Sequence, residues 1–395
     1  MDKVKIYNGN IITPYRIIKN GCILIENGTI AEVAEKDIQT EDYRIIDAAG
    51  KYISPGFIDI HVHGGGGHDF MDGTVEAYLG AAEAHAVHGT TAMVPTTLTS
   101  TNDELKNTFS TFKEAKSRNK KGAQLLGLHL EGPYFAMSQK GAQDPRYIRN
   151  PEKKEYEEIL GWSEDILRWS AAPELEGAME FGRKLRSRGI LPSIAHTDAD
   201  CEVVEAAFEN GFTHITHLYS AMSSVRRINA FRHAGVVEAA YLMDEMTVEI
   251  IADGIHLPSS LLKLIYKIKG AGRIALVTDS MRAAGMPEGE SVLGSLKDGQ
   301  KVIVEDGVAK LMDRSAFAGS VATADRLVRT IIAQAGVPLA EAVKMMTAVP
   351  AEIIGAGSRK GSLVPGKDAD IVIFDDHINV HTTMIQGRII FDKSK

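Results

Sequence analysis

Apolar residues along this chain gather in two patterns. Between residues 54 and 359, runs of five to seven mostly apolar or β-branched residues recur at 57–63, 92–96, 125–130, 167–171, 191–195, 213–217, 247–252 and 273–278. The stretches between them carry helix signals, as at 77–88 and at 102–116, the second opened by Ser100, Thr101 and Asn102 as a candidate cap. Alternating strands and helices predict an α/β fold with a parallel sheet, and eight such units predict a closed (β/α)8 TIM barrel. Toward both ends the period shortens. Alternating or β-branched runs at 3–7, 22–26, 30–34 and 43–47 are punctuated by Asn8-Gly9, Asn20-Gly21 and Asn27-Gly28, a pair favoured in two-residue hairpin turns. The tail repeats this at 370–374, 382–385 and 388–391, with Gln386-Gly387 between the last two. Residues 1–53 and 360–395 are therefore expected to pair into a small β-sandwich domain, with 54–359 forming the barrel domain.

A barrel places its chemistry at the C-terminal ends of its strands. His61 and His63 end the first run, Glu131 the third, His196 the fifth, His217 the sixth and Asp279 the eighth, while His256 follows the seventh. In a strand, alternate side chains share a face, so His61 and His63 point the same way, and Gly64 to Gly67 behind them let the chain turn sharply. The expected centre is a hydrolytic metal site. A metal ion lowers the pKa of water from 15.7 to about 7, and an ionised Asp279 can take the proton as attack begins and return it to a departing amine. His256 is placed to donate a hydrogen bond to the carbonyl oxygen. His85, His88 and His129 lack such surroundings and are read as structural, and His214 is expected to face away from the site by strand alternation. Arg226, Arg227, Arg232 and His233, after the sixth run, are either a solvated charge run or an anion-binding cluster. No nucleophile elbow and no phosphate-binding glycine loop occurs.

Charge and cysteine content narrow the partners. With 44 Lys and Arg against 52 Asp and Glu, the net charge of −8 argues against a general nucleic-acid binder. Only Cys22 and Cys201 are present, in no metal or redox spacing, which fits a reducing compartment; no apolar run long enough to span a membrane is found, and a cytoplasmic protein is expected.

A set of motifs goes further: Pro55-Gly56-Phe57-Ile58-Asp59-Ile60-His61-Val62-His63-Gly64, His129-Leu130-Glu131-Gly132-Pro133-Tyr134, Lys140-Gly141-Ala142, His217-Leu218-Tyr219-Ser220-Ala221-Met222, Ala252-Asp253-Gly254-Ile255-His256, Thr278-Asp279, Ala318-Gly319-Ser320 and Pro365-Gly366-Lys367-Asp368-Ala369-Asp370. By these the chain resembles, along essentially its whole length, the amidohydrolase superfamily and within it the N-acetylglucosamine-6-phosphate deacetylase family. The resemblance implies that Glu131, His196 and His217 hold a principal divalent ion, zinc or iron. It also implies that His61 and His63 can hold a second, with Asp279 as general base, general acid and ligand. It implies substrate contacts from Ala142, Gln143, Ser220, Ala221, Arg232, His256, Ala318 and Gly319, and a homodimer in which Arg232 reaches the neighbouring site to meet the phosphate. Branches that bridge two metals with a carboxylated lysine on the fourth strand are disfavoured, because 166–174 holds no lysine. Two positions depart from the family pattern: Ser220 stands where Asn is usual, and Gln143 where His is usual. The implied activity is removal of acetate from N-acetylglucosamine 6-phosphate, with no nucleic-acid or membrane partner. The alternatives are the same chemistry on the galactosamine isomer or another N-acyl sugar, and a non-catalytic barrel scaffold.

Overall fold

The computed structural model describes residues 3–394. Eight parallel strands make the barrel: Phe57–Val62, Thr90–Pro95, Gln124–Leu125 continued by Leu128–Glu131, Ile166–Ala171, Leu191–Ile194, His214–Ile215, Thr247–Ile250 and Ile274–Leu276. Every residue of the first two is buried, as expected of strands covered on both faces. The third strand is broken at Gly127, where a Cβ would lie 2.4 Å from Leu167 Cγ and 2.6 Å from the Asp165 carbonyl, so the fourth strand can approach only past a glycine. Thr96 bridges His129 across this break. Backbone bonds from Asp279 N to His61 O and from His63 N to Ser280 O, both 2.9 Å, join the end of the eighth strand to the first.

The expected helices follow the strands. Thr74 caps Val75–Ala86, and Thr101 with Glu104 forms a reciprocal capping box at the start of Asn102–Arg118. Two elements were not anticipated: an antiparallel hairpin of Arg226–Ile228 and Phe231–His233 after the sixth strand, and a three-stranded antiparallel sheet of Gly289–Leu293, Gln300–Glu305 and Val308–Leu311 after the eighth.

The two chain ends meet in one eight-stranded sheet, where Ile371–Phe374 pairs Tyr52–Pro55 antiparallel. Its long first strand, Lys3–Ile12, pairs Arg44–Asp47 along one half and Tyr52–Pro55 along the other, and Val4, Ile6, Ile23, Ile53, Ile371 and Met384 join one apolar core. Asn27-Gly28 is the hairpin turn expected, with φ of 51° and 80°. Asn8-Gly9 and Asn20-Gly21 are not turns. They lie inside Lys3–Ile12 and Ile17–Glu26, where Gly9 faces Gly21 and the register shifts on either side of that pair. The Asn-Gly signal reports left-handed backbone; here a partner strand continues past it, so the residue becomes a bulge that bends the sheet.

Candidate metal centre

The C-terminal rim of the barrel turns more sharply than regular strands allow. His196 and His217 lie two residues beyond their strands and Asp279 three, and all three adopt positive φ, 46°, 31° and 46°. Non-glycine residues hold such backbone only when the surroundings impose it, commonly at functional sites. Asp279 is pinned between its own N–H on the His61 carbonyl and its carbonyl on the Ser320 N–H, at 2.9 and 2.7 Å.

These turns bring six buried side chains together as two ligand groups, His61 with His63 and Asp279, and Glu131 with His196 and His217. Glu131 Oε1 lies 3.1 Å from His217 Nε2 and 3.4 Å from His196 Nε2, while its Oε2 lies 3.3 Å from His63 Nε2. Asp279 Oδ1 lies 3.2 Å from His63 Nε2 and 3.4 Å from His61 Nε2. One carboxylate thus faces both groups. Four imidazole Nε2 atoms and two carboxylates converging from five strands form a donor set suited to divalent transition metals. The electrostatics agree. Burial works against charge on His61 and His63, yet the Asp279 and Glu131 carboxylates raise both, His63 to about 9. Glu131 and Asp279 are held below the carboxylate range, against their own burial, by the imidazoles around them. A site that favours positive charge this strongly fits a cation.

Above the centre opens a cavity of about 430 Å³, lined by His63, Glu131, His196, His217 and Asp279 at its floor. Of the residues implied as substrate contacts, Ala142, Gln143, Ser220, Ala221, His256 and Gly319 line it. Ala318 is buried and outside the wall, and Arg232 is exposed on the hairpin, also outside it. His256 is aimed by Asp253, whose carboxylate accepts from the His256 ring at 2.8 Å and from the backbone N–H groups of Ile255 and His256 at 2.9 Å. Gln143 donates to Glu131 Oε2 at 2.8 Å and accepts from the Thr99 N–H at 2.9 Å, so it touches a candidate ligand as well as the cavity.

Residues 52–390 match the amidohydrolase family. The chain belongs to the amidohydrolase family. It is 34% identical to N-acetylglucosamine-6-phosphate deacetylase of Bacillus subtilis over 96% of this chain and 95% of that protein. It is 32% identical to N-acetylgalactosamine-6-phosphate deacetylase of Escherichia coli O157:H7 over 92% and 93%. Its fold superposes, with a TM-score of 0.90 and 27% identity, on a mutant N-acetyl-D-glucosamine-6-phosphate deacetylase from Mycobacterium smegmatis in complex with N-acetyl-D-glucosamine-6-phosphate, covering 99% of this chain and 100% of that one.

Several polar residues of this amidohydrolase were missed or misplaced in the sequence. His214 does not face away from the site: its Nε2 lies 3.2 Å from Glu249 Oε1 inside the barrel. The sixth strand is only His214–Ile215, so strict alternation cannot be carried on to His217. Glu249 and Arg168, both fully buried beneath the centre, went unrecognised. The available signal was a charged residue inside each of two otherwise apolar barrel strands. The Gln139 carbonyl, which takes the His196 Nδ1–H at 2.7 Å, had no sequence signal because any residue could supply it.

His129 and His85, expected to be structural, lie outside both ligand groups, and His85 makes a prediction. Its Nε2 donates to the Gly64 carbonyl at 2.9 Å, and burial pushes its pKa down to about 4. The unfolded chain, near 6.5, therefore binds more protons than the folded one between those values, so stability falls as pH drops through that window. The contribution is on the order of 3 kcal/mol. His85→Gln is expected to flatten the pH dependence of the denaturation midpoint between about 6.5 and 4; parallel curves for variant and parent would refute it.

Proposed function

We propose that this amidohydrolase hydrolyses the N-acetyl amide of N-acetylglucosamine 6-phosphate, releasing acetate and glucosamine 6-phosphate. The reading is carried by one observation: two ligand groups, both faced by Glu131, meet at the floor of a cavity that also presents Asp279 and His256. One or two divalent ions, zinc or iron, are the cofactors in this reading, held by Glu131, His196 and His217 and by His61, His63 and Asp279. Such an ion supplies Lewis acidity toward a carbonyl oxygen and toward water.

The chain's own residues complete the chemistry. Asp279, kept ionised by its imidazole neighbours, takes the proton of the attacking water and passes it to the amide nitrogen, so the leaving group departs as a neutral amine. His256, oriented by Asp253, donates to the carbonyl oxygen as charge builds there. Ser220 and Ala221 reach the cavity because Tyr219 and Ala221 take positive φ, 77° and 48°, and turn the chain after His217. No lysine or arginine lines the cavity among the described residues. A substrate phosphate therefore calls for a cation from elsewhere, and we assign it to Arg232 of a second copy. The hairpin that carries Arg232 exposes Phe231 (75%) and Ile228 (41%), apolar surface suited to burial in a homodimer. Both cysteines are free and buried, in keeping with a reducing, cytoplasmic setting. No helix among the described residues is long and apolar enough to cross a membrane.

Acetate release from N-acetylglucosamine 6-phosphate, its galactosamine isomer and the unphosphorylated sugar tests this directly. The glucosamine 6-phosphate form is expected to give the highest kcat/KM. Equal efficiency on the free sugar would overturn the phosphate requirement. A preference for the galactosamine isomer, which the Escherichia coli relative and the serine at 220 make the second reading, would move the assignment to that epimer. Absence of release from all three by metal-loaded enzyme would overturn the reading altogether.

A further inference from the structure

The two ligand groups meet one buried carboxylate that belongs to neither. Glu249, on the seventh strand, is wholly inaccessible to solvent. Its Oε2 lies 3.1 Å from His61 Nδ1 and 3.4 Å from the backbone N of His217, and its Oε1 receives the Arg168 guanidinium. Arg168 is itself tied to the Ile60 carbonyl at 3.3 Å and to Thr216 Oγ1 at 2.9 Å.

An ionised carboxylate only accepts, so the hydrogen of a neutral His61 resides on Nδ1. That leaves the Nε2 lone pair directed at His63, Glu131 and Asp279. The support differs in kind between the groups, and in each of them one imidazole, His63 or His217, has no partner at Nδ1. His196 has its ring fixed independently by the Gln139 carbonyl. In the other group, His63 Nδ1 has no partner, so among its imidazoles His61 alone is anchored from behind, and Glu249 is the anchor. Burying a carboxylate this deeply is costly without a counter-charge, and Arg168 provides it without touching any of the six ligand side chains.

We propose that Glu249, held by Arg168, is a positioning residue that builds the His61, His63 and Asp279 position, so that its loss turns a two-ion centre into a one-ion centre. This rests on the metal-dependent reading above.

The test is a titration of the full chain, stripped by chelator, with Co²⁺ alone, read by calorimetry for stoichiometry and affinity and by visible absorption for coordination. The parent protein is expected to take up two ions. The double variant Arg168→Met/Glu249→Leu, which removes both buried charges, is expected to keep one ion within about threefold of parent affinity and to weaken the other about 10- to 100-fold. If the double variant fails to unfold cooperatively, Glu249→Gln reads the same quantity, with a loss of about 10-fold at one position. Parent affinity at both positions, equal weakening of both, or a single ion in the parent would each overturn the proposal. Acetate release by the parent from the same preparation tests the deacetylase reading separately.

Discussion

Asp279→Asn is expected to lower kcat for the acetylated sugar phosphate by about 10³-fold or more, the range lost with a positioned general acid and base. The substitution isolates the proton from the shape. Asn tolerates left-handed backbone at least as well as Asp, so the φ of 46° at this position imposes little new strain. The backbone bonds to His61 and Ser320 do not involve the side chain. The amide can still occupy the space beside His61 and His63, but it has no carboxylate to take the proton from water. KM is expected to move by no more than a few-fold, because the residues that meet the sugar are untouched. Metal content should be determined on the same sample, since Asp279 also belongs to a ligand group. A variant that retains ion and keeps kcat within tenfold of the parent would remove Asp279 from the mechanism.

The barrel and its rim were legible because both follow local rules. Eight buried parallel strands read as apolar runs, and residues just past their ends fall at one mouth whichever exact residue ends each strand. Hence His61, Glu131, His196, His217 and Asp279 could be placed without knowing that three of them sit in left-handed turns. What escaped depends on partners distant in sequence. Asn8-Gly9 becomes a bulge because the Ile17–Glu26 strand continues opposite it, a fact absent from the dipeptide. The sheet of 289–311 was overlooked because two of its three strands are buried only in part and show no apolar run comparable to a barrel strand. Glu249 and Arg168 lie 81 residues apart, and each alone reads as an isolated charge in an apolar strand. Only closure of the barrel shows that they face each other beneath the metal ligands.

Arg168→Met is expected to be the most destabilising single substitution considered, at about 3 to 5 kcal/mol, the cost of breaking a buried ion pair by removing one partner. Methionine fills much of the volume, so the loss is chiefly electrostatic: Glu249 would keep its burial and lose the charge that holds its pKa well below the usual carboxylate range. Against a typical total of roughly 5 to 15 kcal/mol, that is enough to shift the midpoint of chemical denaturation far toward lower denaturant. Adding Glu249→Leu should restore most of the loss, because the pair replaced together by apolar groups leaves no uncompensated charge. The double-mutant cycle, measured at neutral pH with the metal-stripped proteins, therefore separates the strength of the pair from its use. If Arg168→Met alone unfolds at the parent midpoint, or if the second substitution adds its own cost instead of relieving the first, the buried pair is not the electrostatic unit its geometry describes. If the cycle shows strong coupling while the rescued protein has lost the affinity at the His61 position, the charges are retained there for the metal centre and not for the fold, since apolar residues would then serve stability as well.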